Sequence, residues 1–179
     1  MKAKYTLILL FSALLFLSLK CKKDNTKAEP QLPPETTTGA MTFGCKIDGE
    51  VFIPKDGGGL SGLKTEYLFL GNGPGGGWFL NIAAVDRSSN VLPRVAITTD
   101  SLLLVEGNTY QLVKQKGFAK GQYGLDLFLY QILSSDQGEL FITKHNQSLR
   151  ILSGRFSFTA STFAGEKVTI TEGRFDIRY

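Results

Sequence analysis

The chain has 179 residues, with 20 Lys and Arg against 16 Asp and Glu and a formal net charge of +4. Three of those bases, Lys2, Lys4 and Lys20, precede Cys21 and no acid does, so the rest of the chain carries 17 bases against 16 acids. Such a balance argues against a nucleic-acid groove, which needs Lys and Arg clustered along one face, and a chain of this length needs neither disulfide nor metal to hold a core together.

Lys2 and Lys4 form a basic start, and Tyr5 to Leu19 is an uninterrupted run of apolar and small residues. Fifteen residues are too few to span a bilayer comfortably, so the run reads as the apolar region of a signal peptide. A buried core helix would carry a polar stripe, and this run has none. From Lys22 to Gly39 the composition is mostly Lys, Asp, Asn, Thr, Glu, Gln and Pro, which cannot bury enough apolar surface to fold. The chain therefore divides into a signal peptide (1–20), a polar Pro/Thr-rich tether (21–39) and one folded domain (40–179).

The domain opens on its clearest local signal. Thr42 to Ile47 and Glu50 to Ile53 are β-like runs joined by Asp48-Gly49, a two-residue hairpin turn whose positions both want positive φ, and Pro54 ends the second run. Further strand-like runs are Tyr67 to Leu70, Trp78 to Val85, Val91 to Thr98, Leu102 to Val105, Thr109 to Val113, Leu125 to Leu133, Leu140 to Thr143, Arg150 to Thr159 and Lys167 to Tyr179. Gly57 to Gly59, Gly71 to Gly77, Glu106-Gly107-Asn108, Ser134 to Gly138 and Ala164-Gly165-Glu166 break them apart. Nothing between the breakers sustains a helical period, so an all-β fold is expected, a single antiparallel β-sandwich or barrel-like domain of about ten strands. In the last run Val168 and Ile170 share one parity while Phe175, Ile177 and Tyr179 share the other. One buried face then requires an extra residue, a β-bulge near Glu172-Gly173 with Gly173 as its permissive residue.

Few residues point to chemistry. Gly71 to Gly77 lacks the Lys and Ser or Thr of a phosphate-binding loop and runs into a strand instead of a helix. Trp78, the one tryptophan, shares its parity with Leu80, Ile82 and Ala84 and reads as core, with a ligand platform as the weaker reading and the one ligand-binding candidate. His145, the one histidine, reads as a surface turn residue, and no ligand-like spacing joins it to Cys45, so no metal and no cofactor is expected. Cys45 alternates with Phe43 and Ile47 and reads as a small buried hydrophobe. Asp48, Asp56, Asp86, Asp100, Asp126, Asp136 and Asp176 fall mostly at turns and strand ends, where their side chains bond local backbone. Arg174 and Asp176 share a face and suggest an exposed cross-strand network.

Three blocks carry a family resemblance: Thr36 to Gly49 with Thr-Phe-Gly-Cys at Thr42 to Cys45, Ile142 to Phe158, and Val168 to Tyr179 with Gly-Arg-Phe-Asp at Gly173 to Asp176. Together they resemble a family of uncharacterised Bacteroidetes lipoproteins, with Phe52 where such proteins often have Trp and Arg155 where Thr is common. Cys21 follows the apolar run directly, where the acylated cysteine of a bacterial lipoprotein sits, and Lys22-Lys23-Asp24-Asn25 resembles the mature start. Lys20 stands where those proteins carry a small residue. The resemblance implies lipidation at Cys21, a membrane contact through that anchor, an outer-membrane location in the cell envelope and a β-rich domain, and it implies no activity. The expectation is a non-enzymatic binding or scaffold domain with an unknown protein or glycan partner. A small-ligand or glycan binder is the alternative, and a small hydrolase leaning on Cys45 or His145 is the weakest reading.

Overall fold

The computed structural model describes residues 30–133 and 136–179. The expected signal peptide (1–20) and the expected lipidation site at Cys21 lie outside the described residues. Among these, eleven strands and no helix are found: β1 (Thr42–Ile47), β2 (Glu50–Phe52), β3 (Leu63–Phe69), β4 (Trp78–Val85), β5 (Arg94–Thr99), β6 (Thr109–Gln111), β7 (Ala119–Leu125), β8 (Phe128–Gln131), β9 (Gly138–Asn146), β10 (Ile151–Ser161) and β11 (Lys167–Arg178).

All eleven join one antiparallel sheet in the order β2-β1-β11-β10-β8-β7-β5-β4-β3, with β9 and β6 branching from β10. Residues Ile151 to Phe158 of β10 pair with β9, and farther along Ser161 pairs with Gln131 of β8. The sheet therefore splits into arms at β10 and does not close into a barrel: β2 and β3 end its main path and β6 ends the branch. The arms fold over each other in a sandwich-like way. Thr65 of β3 donates its hydroxyl to the Arg178 carbonyl at 2.6 Å, and the Tyr67 ring meets the Tyr179 ring edge-on at 5.2 Å. Between them lies one apolar cluster including Phe43, Tyr67, Ile82, Ile97, Leu140, Leu152, Phe156, Phe175 and Ile177, all essentially removed from water.

The Asp48-Gly49 hairpin is present, with φ of 48° and 93° at the two turn residues. The bulge in β11 is present too. Gly44 of β1 faces Arg174 and Lys46 faces Thr171, so Cys45 opposes both Glu172 and Gly173, and β10 shows the same extra residue between Phe156 and Phe158. Its permissive residue is not the one expected. Glu172 takes the left-handed conformation (φ 51°), whereas Gly173 is glycine because a Cβ there would sit 2.5 Å from the Phe156 ring.

Two strand assignments change in kind, and one strand is largely new. Leu102 to Val105 is a loop in which the Leu104 and Val105 amides donate to the hydroxyls of Tyr67 and Tyr110. Leu125 to Leu133 is not one strand but a turn at Asp126-Leu127 between β7 and β8, with Asp126 left-handed at φ 51°. Much of β7 was not anticipated at all, because its inward positions Ala119 and Gly121 offer little apolar signal. Gly121 is small because the Phe158 ring lies against it, 2.8 Å from where a Cβ would be.

Candidate functional site

The segment read as the end of the tether is packed on the domain. Residues from Gln31 onward belong to the compact unit that runs to Tyr179, and they cross the outer face of β1, β11 and β10 as a strap. Gly44 makes room for it, since a Cβ there would lie 2.5 Å from Pro33. Extended, proline-rich backbone cannot pair with itself, so its polar groups must find partners elsewhere.

They find Asp176. The bulge gives this residue the parity opposite to Phe175 and Ile177, so its carboxylate points to the outer face between Thr42 and Ser153. There Oδ2 accepts hydrogen bonds from the Thr36 hydroxyl (2.6 Å) and the amides of Thr38 (2.9 Å) and Ala40 (3.1 Å). Oδ1 accepts from the Gly39 amide (2.8 Å) and the Ser153 hydroxyl (2.7 Å). Only 1% of Asp176 is exposed. Burial by itself would raise its pKa, but the donors from Thr36, Ala40, Ser153 and Gly39 outweigh that and hold it at about 2. Arg178 completes the attachment by donating to the carbonyls of Gly39 and Thr38, both at 3.3 Å. Arg174 and Asp176 do share a face, as their spacing suggests. The network is not exposed at Asp176, however, because the strap covers it.

Beside the strap, on the same face, lies a surface concavity of about 440 Å3. Arg155 and Arg174 stand in it with Glu35, Glu139, Glu172 and Phe141. Glu35, carried by the strap, takes Nε (2.7 Å) and Nη2 (2.6 Å) of Arg155 on one carboxylate oxygen and approaches Arg174 at 4.0 Å on the other. Glu172, on the bulge, pairs with Lys46 at 2.6 Å and with Arg174 at 3.8 Å, and the Lys46 ammonium lowers its pKa. The bulge thus turns two consecutive features outward, an acid at Glu172 and a guanidinium at Arg174, onto a rim of alternating charge. Planar guanidiniums in this arrangement suit a carboxylate or another oxyanion.

The residues singled out from sequence lie elsewhere. Trp78 opens β4 half-buried, with one face stacked on Tyr67 at 4.8 Å and Phe69 tilted against it at 5.2 Å. His145 is not a turn residue. It sits in β9, half-buried, its ring edge-on to Tyr67 at 5.3 Å. Its Nδ1 lies 2.8 Å from the Leu104 carbonyl and its Nε2 3.0 Å from the Tyr179 hydroxyl. Because a carbonyl can only accept, Nδ1 carries the proton and the Tyr179 hydroxyl donates to Nε2 in the neutral ring. The ring therefore bridges the Leu104 carbonyl of the 102–107 loop to the Tyr179 hydroxyl. Cys45 is wholly buried in β1, and burial pushes its thiol up to about 12, far from a reactive thiolate at neutral pH. Among the described residues no three His, Cys, Asp or Glu side chains are grouped to hold a metal.

Glu35, Arg155 and Asp176 were not picked out as a group from the sequence. The available signal was the outward parity of Asp176 once the bulge is placed, together with the donor-rich Thr36-Thr37-Thr38-Gly39 stretch that could meet a buried carboxylate. Compared with protein-family models, with curated proteins and with solved structures, the chain gives no match. What is established is the class, an all-β domain with one open antiparallel sheet.

Proposed function

We propose that this is a lipid-anchored envelope protein, held at the outer membrane through an acylated Cys21, whose β domain works by binding and not by catalysis. The basic start, apolar run and cysteine at the head of the chain support the address. One observation supports the binding role: the outer-face concavity already holds a carboxylate, Glu35, against Arg155 and Arg174. That contact defines the chemistry the concavity accepts, a carboxylate-bearing partner. The partly exposed Arg155 is the group such a partner would engage by displacing or sharing Glu35. Thr109 and Phe141 line the same concavity and add a hydroxyl and an aromatic surface, which favours an acidic glycan as the second reading.

The test is a titration of the full chain in detergent with acidic peptides and acidic oligosaccharides, repeated with Arg155→Ala and Arg174→Ala. Saturable binding that both substitutions weaken supports the reading. Binding indifferent to them, or hydrolysis of any of the probes abolished by a single substitution, overturns it. Intact mass of the protein extracted from its own membrane, beside Cys21→Ala, tests the address: an acylated mass lost in the control supports it, and an unmodified chain still carrying residues 1–20 refutes it.

A further inference from the structure

The strand β3 ends the sheet, and its outer edge is unpaired among the described residues. At the two ends of its pairing with β4, Val85 donates to the Gly62 carbonyl at 2.7 Å and Leu70 donates to the Gly77 carbonyl at 2.9 Å. Antiparallel ladders alternate, so the even-numbered residues of β3 spend their backbone groups on β4. Leu63, Thr65, Tyr67 and Phe69 therefore turn N–H and C=O to the free edge. Only Leu63 is capped there, by the hydroxyl of its neighbour Ser61. An edge of this length is a template for a further strand.

The side chains on the outward face of β3 restrict which strand that can be. Lys64 and Glu66 are exposed, face Ala83 and Asn81 on β4, and enter none of the ion pairs among the described residues. We infer that β3 pairs with β3 of a second copy of this chain, antiparallel about a two-fold axis through Thr65. In that register Thr65 opposes Thr65 of the second copy, and Lys64 and Glu66 each oppose the other on the second copy. The two charged pairs fall at non-hydrogen-bonded positions, where opposing side chains come closest. Centring on Lys64 or on Glu66 instead stacks like charges directly, which is destabilising. The same two residues that would repel an irregular neighbour thus select one register of self-pairing. Leu60 and Leu70, both more than half exposed, lie at opposite ends of β3 and approach each other across the axis. The assembly is isologous, so it closes as a dimer and uses the β3 edge of both copies.

The experiment is a charge swap on the full chain in detergent, read by mass from light scattering and by dimer dissociation constant. Lys64→Glu and Glu66→Lys singly are expected to weaken the dimer at least about tenfold, and the two together to restore it, because opposite charges again face each other. Both positions are exposed, so the variants keep the fold, which thermal unfolding verifies. Mixing Lys64→Cys chains with Glu66→Cys chains under mild oxidation gives a cross-linked dimer, since that Cα separation of about 4.5 Å admits a disulfide. In the dimer the outward amides of Thr65 and Tyr67 gain protection from hydrogen exchange. A chain that stays monomeric over the accessible concentration range overturns the inference. So does a dimer insensitive to the single reversals, or Lys64→Cys chains that cross-link to themselves as readily as to Glu66→Cys chains.

Discussion

Asp176→Asn separates the charge of the strap anchor from its shape. Folding holds the Asp176 carboxyl at about 2, below its ordinary 3.8, so the folded form favours the ionised state and the contribution to stability is fully present above about pH 4. It is lost as pH falls from about 4 to about 2. A difference of that size corresponds to about 2 kcal/mol. Asparagine keeps one acceptor but replaces the other with an NH2 that faces the Thr36 hydroxyl and the Thr38 and Ala40 amides, all of them donors. Near neutral pH the variant is expected to lose about 2–4 kcal/mol, and no more, because the strap can swing into water and rehydrate instead of staying buried unpaired. Urea unfolding measured from pH 2 to pH 7 checks this. The gap between wild type and variant should shrink across the window from pH 4 to pH 2, while amides of Thr38 to Ala40 exchange faster in the variant throughout. A gap that stays constant with pH, or a variant whose strap amides remain protected, would refute the assignment of Asp176 as the charged anchor.

The bulge gives a paired comparison: Gly173→Ala drives a Cβ into the Phe156 ring and should cost about 1–3 kcal/mol in urea unfolding, whereas Glu172→Gly, which relaxes the left-handed residue, loses much less. Cys45 in a Cys21→Ala background should fail to react with a thiol reagent at pH 8 until the chain is unfolded, and Cys45→Ser should be less stable than Cys45→Ala because the hydroxyl is buried without a partner. Tyr67→Phe strands the Leu104 amide, so it should cost about 1–3 kcal/mol and speed exchange at Leu104. Trp78 emission should not move, because the stacked ring remains.

How far the sequence discloses this fold depends on whether the deciding information is local. Asp48-Gly49 is legible because its turn geometry depends on two residues alone. The bulge is legible from the parity switch between Ile170 and Phe175, but not which residue bends, since Gly173 is dictated by the Phe156 ring on a neighbouring strand. The Asp126-Leu127 turn carries no glycine and so hides inside an apolar run, while β7 hides because its inward Ala119 and Gly121 give little apolar signal, Gly121 being small to admit the Phe158 ring. Leu102 to Val105 has the pattern of a strand, yet two tyrosine hydroxyls take its amides first. The outer-face site was least legible of all. Pro33, Pro34 and the threonines have the composition of a linker, and only a carboxylate 140 residues away turns Thr36 into part of the domain.

The position of β11 between β1 and β10 also has a consequence in time. The amino-terminal hairpin joins the sheet through β11, and the strap is anchored there too, with 140 positions separating Thr36 from its acceptor. During synthesis the first hairpin therefore waits, without its neighbour, until β11 has been made. Contacts that span the whole sequence are slow to form and late to reward the chain. A domain built this way closes late, when β11 has joined β1. Losing the end of β11 would take with it Asp176, the acceptor that holds the strap.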